Sequence, residues 1–415
     1  MVRKVISVVL TLLALVGAVR LIAPATAGNH RQEPPGVRRQ LAFLRDKLEH
    51  GADTDAQALF PEGYYFLNVL YGLSWVELGR RGVDTARAAD EAAWALSRVE
   101  STAGRAPFDP AAVPPYGVFY AGWTNWLRGG LLTLRDDPAQ RARFAADSQA
   151  LAAAFDASAT PFLAAYPGQA WPCDSTVAIA SLRLADSVTG TPRFAPTVER
   201  WLDRARGLLD PATGLLPHYV DASTGAPLAG ARGTSQAIIQ RFLVDVDPAF
   251  ARAQYLLFRE KFLVRPLGLG PAIREYPQGT DGPADVDSGP LLLGVSLSTT
   301  VVALGAAQAQ GDDSLAAALA DFGEFAGLPL STPGTKRYAL GLVPVGDAFL
   351  AWSKTALPWT GSAPPAPAPA ITPWWRLPLL TLLFLIGLSP WLPLLRRRLR
   401  AVRTRAVAAT ATASP

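Results

Sequence analysis

Residues 174–209 read DSTVAIASLRLADSVTGTPRFAPTVERWLDRARGLL. In the second half Phe194, Val198, Trp201, Ala205 and Leu208 recur three or four residues apart, which gathers them on one face of an amphipathic helix. The first half, Asp174 to Val188, is less charged and is introduced by Pro and aromatic residues, the pattern of a helix buried on most sides. A nearly uncharged helix beside an amphipathic one is a two-layer unit, and it recurs along the chain.

Amphipathic helices are predicted near 38–50, 84–100, 138–157, 193–209, 247–264 and 312–326. Asp137-Pro138 and Asp247-Pro248 supply an aspartate to cap free amides and a proline suited to a first turn. Between them lie six weakly charged segments: Glu62 to Leu78, Tyr116 to Leu134, Asp174 to Val188, Thr234 to Val244, Ser288 to Gln310 and Val345 to Thr355. Six such pairs predict an all-α fold, a six-hairpin α/α toroid with the uncharged helices inside and the amphipathic ones outside. An open solenoid and an ordinary bundle are the competing arrangements. Ser288 to Gly311 has no charged residue, so a further membrane span is weighed there, although its glycines, serines and threonines dilute the apolar character.

Both ends read as membrane segments. Arg3 and Lys4 precede the apolar run Val5 to Val19, and Ala25-Thr26-Ala27 resembles a cleavage site, so residues 1–27 are expected to be a signal peptide or an uncleaved anchor. Leu377 to Leu395 is apolar for about one bilayer thickness. It is bordered by Trp374, Trp375 and Trp391 and followed by Arg396-Arg397-Arg398. The expected organisation is an extracytoplasmic domain over 28–360, an uncharged Pro/Ala-rich spacer over 361–373 holding it off the surface, a transmembrane helix over 374–396 and a basic cytoplasmic tail over 397–415. Basic flanks at both ends belong on the cytoplasmic side.

The formal charge of +5 belongs to these ends; without them, 29 basic residues face 34 acidic ones. The basic residues sit beside membrane segments and form no concentrated basic surface, so a nucleic-acid partner is not expected, whereas the lipid bilayer is. One cysteine, Cys173, excludes an internal disulfide, and His30, His50 and His218 are too dispersed for a zinc-type cluster; no metal or other cofactor is expected.

In a ring of parallel inner helices the helix starts converge on one face, where free amides and positive dipole ends favour polar ligands. Polar and aromatic residues gather at those starts, in Pro61 to Tyr65, in Tyr116 with Tyr120, Trp123 and Asn125, and in Tyr166 to Asp174. They continue in His218-Tyr219, Arg232 to Gln236, and Arg274 to Tyr276 leading to Asp285-Val286-Asp287-Ser288. Aromatic platforms beside carboxylates suit sugars, and an apolar substrate such as a terpene also fits. Any one of these residues has a plainer reading as core filler or helix cap; their coincidence at successive starts carries the functional reading. Glu62 as proton donor and Asp174 as base are the pair expected to do acid/base work, with Asp285 and Asp287 as competitors. Substrate contacts are expected from Tyr65, Tyr120, Trp123, Trp171, Cys173, His218, Gln236, Tyr276 and Asp285.

The hairpin count and Asp210-Pro-Ala-Thr-Gly-Leu-Leu-Pro-His218-Tyr-Val-Asp221 resemble the six-hairpin glycosidases, the α/α-toroid superfamily of carbohydrate-active hydrolases and lyases. The Cys173-Asp174 helix start is also similar to the linalool dehydratase/isomerase-like branch. The resemblance covers about residues 37–357 and implies an active cleft carried by Glu62, Tyr65, Cys173, Asp174, His218 and Asp287. A single cysteine departs from the two-cysteine pattern of that branch. The leading expectation is a membrane-tethered, extracytoplasmic glycosidase-like protein, a hydrolase acting on or binding cell-envelope saccharide through a carboxylate- and aromatic-lined cleft. The rivals are a lyase or isomerase for an apolar alcohol and a non-catalytic saccharide-binding module.

Overall fold

The computed structural model describes residues 2–29, 31–393 and 396; His30 and the expected basic tail at 397–415 lie outside them. In chain order its helices are α1 (Val2–Ile22), α2 (Val37–Glu49), α3 (Ala52–Leu59), α4 (Gly63–Arg80), α5 (Thr85–Val99), α6 (Thr102–Arg105), α7 (Gly117–Leu134) and α8 (Pro138–Ala157). Then follow α9 (Pro172–Thr189), α10 (Ala195–Arg206), α11 (Gly233–Phe242), α12 (Pro248–Phe262), α13 (Leu297–Ala309), α14 (Asp313–Ala326), α15 (Pro344–Thr355) and α16 (Leu377–Leu388). The strands are two or three residues long and confined to loops, so the described residues are mostly helical.

The six weakly charged helices pack in a circuit: α4 on α7, α7 on α9, α9 on α11, α11 on α13, α13 on α15, and α15 back on α4. Their middles are filled. Trp123 of α7, Phe242 of α11 and Trp352 of α15 meet with ring centroids 5.1 to 6.0 Å apart, and Phe66 of α4 packs on Trp123 at 5.9 Å. Burial on most sides explains why these helices have no polar stripe. The amphipathic helices α5, α8, α10, α12 and α14 each turn their apolar stripe onto this layer, as Ala88, Ala92, Leu96 and Val99 do on α5.

The capping chemistry is as the sequence predicts. Asp137 accepts from the Ala139 and Gln140 amides at 2.9 and 3.1 Å, and Asp247 from Phe250 at 2.7 Å, each ahead of a first-turn proline. Two features differ from expectation. Ser288 to Ser296 is a loop with a two-stranded hairpin, β6 (Leu291–Leu292) and β7 (Val295–Ser296), so α13 starts late, and at 13 residues it is too short to cross a bilayer. The inner layer also holds charge: Arg241 of α11 is ion-paired with Glu77 of α4, both in the interior, with the guanidinium over the Trp352 ring at 4.2 Å.

Connections alternate in length. Those that lead from an inner helix to the next outer one are a few residues long, whereas those that lead back to an inner helix are long and carry the strands, among them β1 (Gln169–Ala170), β2 (Tyr219–Asp221), β3 (Pro227–Ala229), β4 (Leu263–Val264) and β5 (Ala272–Ile273). These strand-bearing loops therefore lie at one end, where the inner helices begin; the long stretch after α15 leads instead to α16.

Two helices, over 4–22 and 373–391, are long and apolar enough to cross a membrane by length and composition. They pack side by side, and α1 also packs on α14. A side chain at Gly17 would meet Leu383 at 3.1 Å, and Thr11 receives the Trp391 indole N–H at 2.9 Å while donating to the Gly387 carbonyl at 3.1 Å. Arg376 joins this hairpin to the domain, reaching the Leu21 carbonyl and pairing with Asp321 of α14. The Pro/Ala-rich segment does not stand away from the domain: it starts where Trp359 stacks on Trp126 at 4.4 Å and runs along the wall, with the Pro365 carbonyl bonded to Arg252 at 2.7 Å.

Candidate functional site

The starts of α4, α9 and α11 are drawn together by the loops that precede them. At Gly117, where φ is +79°, a side chain would run into the Ala165 carbonyl at 2.1 Å, and the Val118 amide bonds to Ala164 at 3.1 Å; glycine thus lets the 163–171 loop lie against the start of α7. β1 of that loop pairs with β2, Ala170 opposite Val220, which sets the Trp171 ring 5.1 Å from Tyr219. Gly233 has the same use at the start of α11, its amide bonded to the Glu275 carbonyl at 2.8 Å.

Three carboxylates share this region. Glu62 ends the loop before α4 and accepts a hydrogen bond from the Tyr166 hydroxyl. Asp174 stands in the first turn of α9, 8 % exposed, with the Cys173 thiol 3.8 Å from its Oδ1. Burial pushes the Asp174 carboxyl well above the usual carboxylate range, and the charges of Asp287 and Glu62 push it further. A helix N-terminus normally lowers a carboxyl pKa; here burial and like charge win. Asp287 is exposed, yet the protein crowding it is the largest influence, and with Asp285 and Glu62 nearby its pKa rises to about 6. The three acids thus come from segments far apart in sequence, and the charge of Glu62 raises the carboxyl pKa of both Asp174 and Asp287.

Around them, burial and the Glu62 carboxylate keep the Tyr166 phenol protonated. Burial, then Asp174, pushes the Cys173 thiol up, so it is neutral and a poor nucleophile. His218 bonds through Nδ1 to the Ser235 hydroxyl at 2.6 Å, and burial followed by the Arg232 charge lowers its pKa to about 4, leaving it neutral. Asp285 is not free to react: it pairs with Arg232 at 2.5 Å and accepts the Ser288 amide at 2.9 Å. Arg232 also pairs with the buried Glu275 at 2.8 Å and lies over the Tyr276 ring, whose hydroxyl donates to the Pro283 carbonyl at 2.9 Å.

Glu62, Trp171, Cys173, Asp174, His218, Tyr276, Asp285 and Asp287 are thus gathered at the helix-start end. Tyr65, Tyr120, Trp123 and Gln236 lie beneath it, buried. Tyr65 bonds to Thr124 at 2.9 Å, Tyr120 receives Arg105 Nε at 3.1 Å, and Gln236 donates to the Leu216 carbonyl at 2.6 Å, so these side chains serve packing and offer a ligand no surface. Tyr166, Ser235 and Arg232 were not expected as site residues, although all three fall in the polar stretches of the sequence. Their signal is the contact each makes, and contacts across a ring are not encoded by spacing. Asp210 and Asp221 are turn formers, Asp210 binding the Thr213 hydroxyl at 2.6 Å and Asp221 the Ser223 hydroxyl at 2.6 Å. Among the described residues no group of three or more His, Cys, Asp or Glu side chains is placed to hold a metal ion.

No protein-family model matches the chain, and no curated protein matches it by sequence. Among solved structures it is similar to a selenomethionine derivative of a GH76 alpha-mannanase from Bacteroides thetaiotaomicron, at 11% identity and a TM-score of 0.45, over 69% of this chain and 85% of that one.

Proposed function

We propose that the chain is a six-hairpin, glycosidase-like α/α toroid that hydrolyses or binds cell-envelope saccharide outside the cytoplasm, tethered by α1 and α16 together. The observation that carries this reading is the gathering of Asp174, Asp287 and Glu62, the first two with raised carboxyl pKa values, beside the Tyr166, Trp171 and Tyr219 rings. Cleavage of a glycosidic bond needs one protonated carboxyl and one ionised carboxylate. Burial suits Asp174 to the protonated role of helping the leaving oxygen depart. Glu62, held in place as the acceptor of the Tyr166 hydroxyl, suits the role of the second carboxyl, the one that activates water or attacks. These roles are the reverse of those expected from the sequence, because the sequence does not tell which carboxyl is the more buried. Aromatic faces pack against the C–H faces of a sugar, and the remaining polar groups bind its hydroxyls.

The test is turnover of a glycan panel by full-length protein in detergent. Asp174→Asn and Glu62→Gln should each abolish hydrolysis while melting like the wild type; activity surviving both changes sinks the reading. An apolar-alcohol lyase is the second reading, favoured by the thiol of Cys173 beside Asp174. It predicts that Cys173→Ser, and not Glu62→Gln, removes turnover of a terpenoid alcohol.

A further inference from the structure

The site and the membrane hairpin share one end of the molecule. After the short turn at 310–312, α14 runs antiparallel to α13, so its last turn is level with the start of α13, at the helix-start end. The contacts of α1 follow α14 to that end. The Ala25 amide bonds to Asp321 at 3.1 Å, Gly17 faces Phe325, and Arg20 reaches the Pro329 carbonyl at 2.7 Å. Residues before Gly17 therefore pass beyond the last turn of α14, past the end that carries Asp174, Glu62 and Asp287.

A bilayer core needs about 20 helical residues. The apolar part of α1 runs from residue 4 to 22, and its last turns already lie against α14. Spanning the bilayer therefore draws the last turn of α14 and the loops beside it to the lipid boundary. Those loops are dressed for it. Leu267, Leu292, Leu293, Leu328, Leu340 and Leu342, from the loops on either side of α14, are 56 to 83 % exposed. Trp374, 71 % exposed, stands where α16 leaves the domain, the position in which tryptophan anchors at an interface. On the amphipathic helices α5, α8, α10, α12 and α14 the exposed large aliphatic is Leu256 of α12 alone among the described residues. Val286 carries the aliphatic rim to the site itself, lying exposed between Asp285 and Asp287.

We infer that the helix-start end rests on the bilayer and that its site takes an amphipathic substrate, a saccharide whose lipid anchor stays in the membrane. The bilayer is the occupant of the leucine-bearing rim. The identity of the head group as a saccharide rests on the function proposed above; the seating of the site on the membrane does not.

Full-length protein in vesicles of phosphatidylethanolamine and phosphatidylglycerol tests both parts. In a Cys173→Ser background, nitroxides placed at Leu292→Cys and Leu342→Cys should collide with oxygen and be shielded from a water-soluble nickel complex. One at Asp136→Cys, at the far end, should show the reverse. Nickel access at Leu292 and Leu342 equal to that at Asp136 overturns the inference and leaves the saccharide reading standing. Binding is then compared for oligosaccharides free in solution and coupled to phosphatidylethanolamine in the same vesicles. The coupled forms should bind at least tenfold tighter. Leu292→Asp/Leu293→Asp/Leu342→Asp should lose that gain and keep its affinity for the free sugars. Equal affinity for both forms overturns the substrate class; binding of neither, with the leucines in lipid, overturns the saccharide reading and supports the seating.

Discussion

The Tyr166 hydroxyl donates to the Glu62 carboxylate across 104 residues of sequence, tying the loop before α9 to the start of α4. A hydrogen bond to a charged group contributes about 1.5–3 kcal/mol. Tyr166→Phe removes the donor and keeps the ring, which packs on Phe108 and Trp171. If Glu62 needs this bond to stay in place, kcat/KM should fall roughly 10- to 100-fold, since each 1.4 kcal/mol is tenfold. The melting temperature should stay close to wild type, because the ring contacts remain. Full kcat/KM in the variant, or a loss matched by a fall in melting temperature, assigns Tyr166 to packing instead.

Asp287 predicts a pH signature in stability. Its pKa is about 6 in the folded chain, raised first by the protein crowding this exposed residue's carboxyl and then by Asp285 and Glu62, against roughly 4 when unfolded. Between those values the folded form binds the extra proton, so stability falls as pH rises through that window and the loss is complete above it. Asp287→Asn has no charge to hold there. It should melt on the order of 2 °C above wild type at pH 7.5 and level with it at pH 4, in thermal scans of the detergent-solubilised protein. A higher melting point at pH 4 as well would assign the gain to something other than ionisation.

The Glu77–Arg241 pair is 0 and 4 % exposed, and Arg241 Nε and Nη1 have no other partner, so either charge alone is costly. Removing one member of a buried pair costs about 3–5 kcal/mol, whereas replacing both with apolar residues is often neutral. Glu77→Ala should therefore lower the denaturation midpoint strongly and Glu77→Leu/Arg241→Met should recover most of it. Equal losses in the single and double variants would mean that packing around Trp352, not charge, sets the cost.

How much of this was legible beforehand follows the range of the interactions. The outer helices announce themselves because burial on one side imposes a 3.6-residue period, and α8 and α12 are marked further by Asp-Pro starts. Asp174 and Glu62 were legible as site candidates because helix starts can be found from local signals. The exposed, unpaired state of Asp287 and the engaged state of Asp285 were not, since both depend on Arg232 arriving from another loop. The burial of Tyr65, Trp123 and Gln236 was not legible for a related reason: on an inner helix one or two turns separate the end that meets solvent from a core closed by neighbouring helices. The late start of α13 went unread because uncharged Gly, Ser and Thr residues look alike in a loop and in a buried helix.

The junction between Asp321 and Arg376 bears on the fate of the N-terminus. Asp321 is buried, pairs with Arg376 and accepts the Ala25 amide, while Arg376 also bonds to the Leu21 carbonyl, so the stretch that resembles a cleavage site is held against α14. A peptidase needs such a stretch extended and accessible, and Ala25 is 2 % exposed. Mass spectrometry of protein isolated from membranes should therefore recover the α1 peptides in one chain with the domain. Asp321→Ala leaves the Arg376 charge unpaired and frees the Ala25 amide. It should expose the segment, so that a fraction of chains begins after Ala27, with the domain still held by α16. Wild-type chains that all begin after Ala27 would show that α1 is removed before it can dock, and that α16 holds the domain by itself.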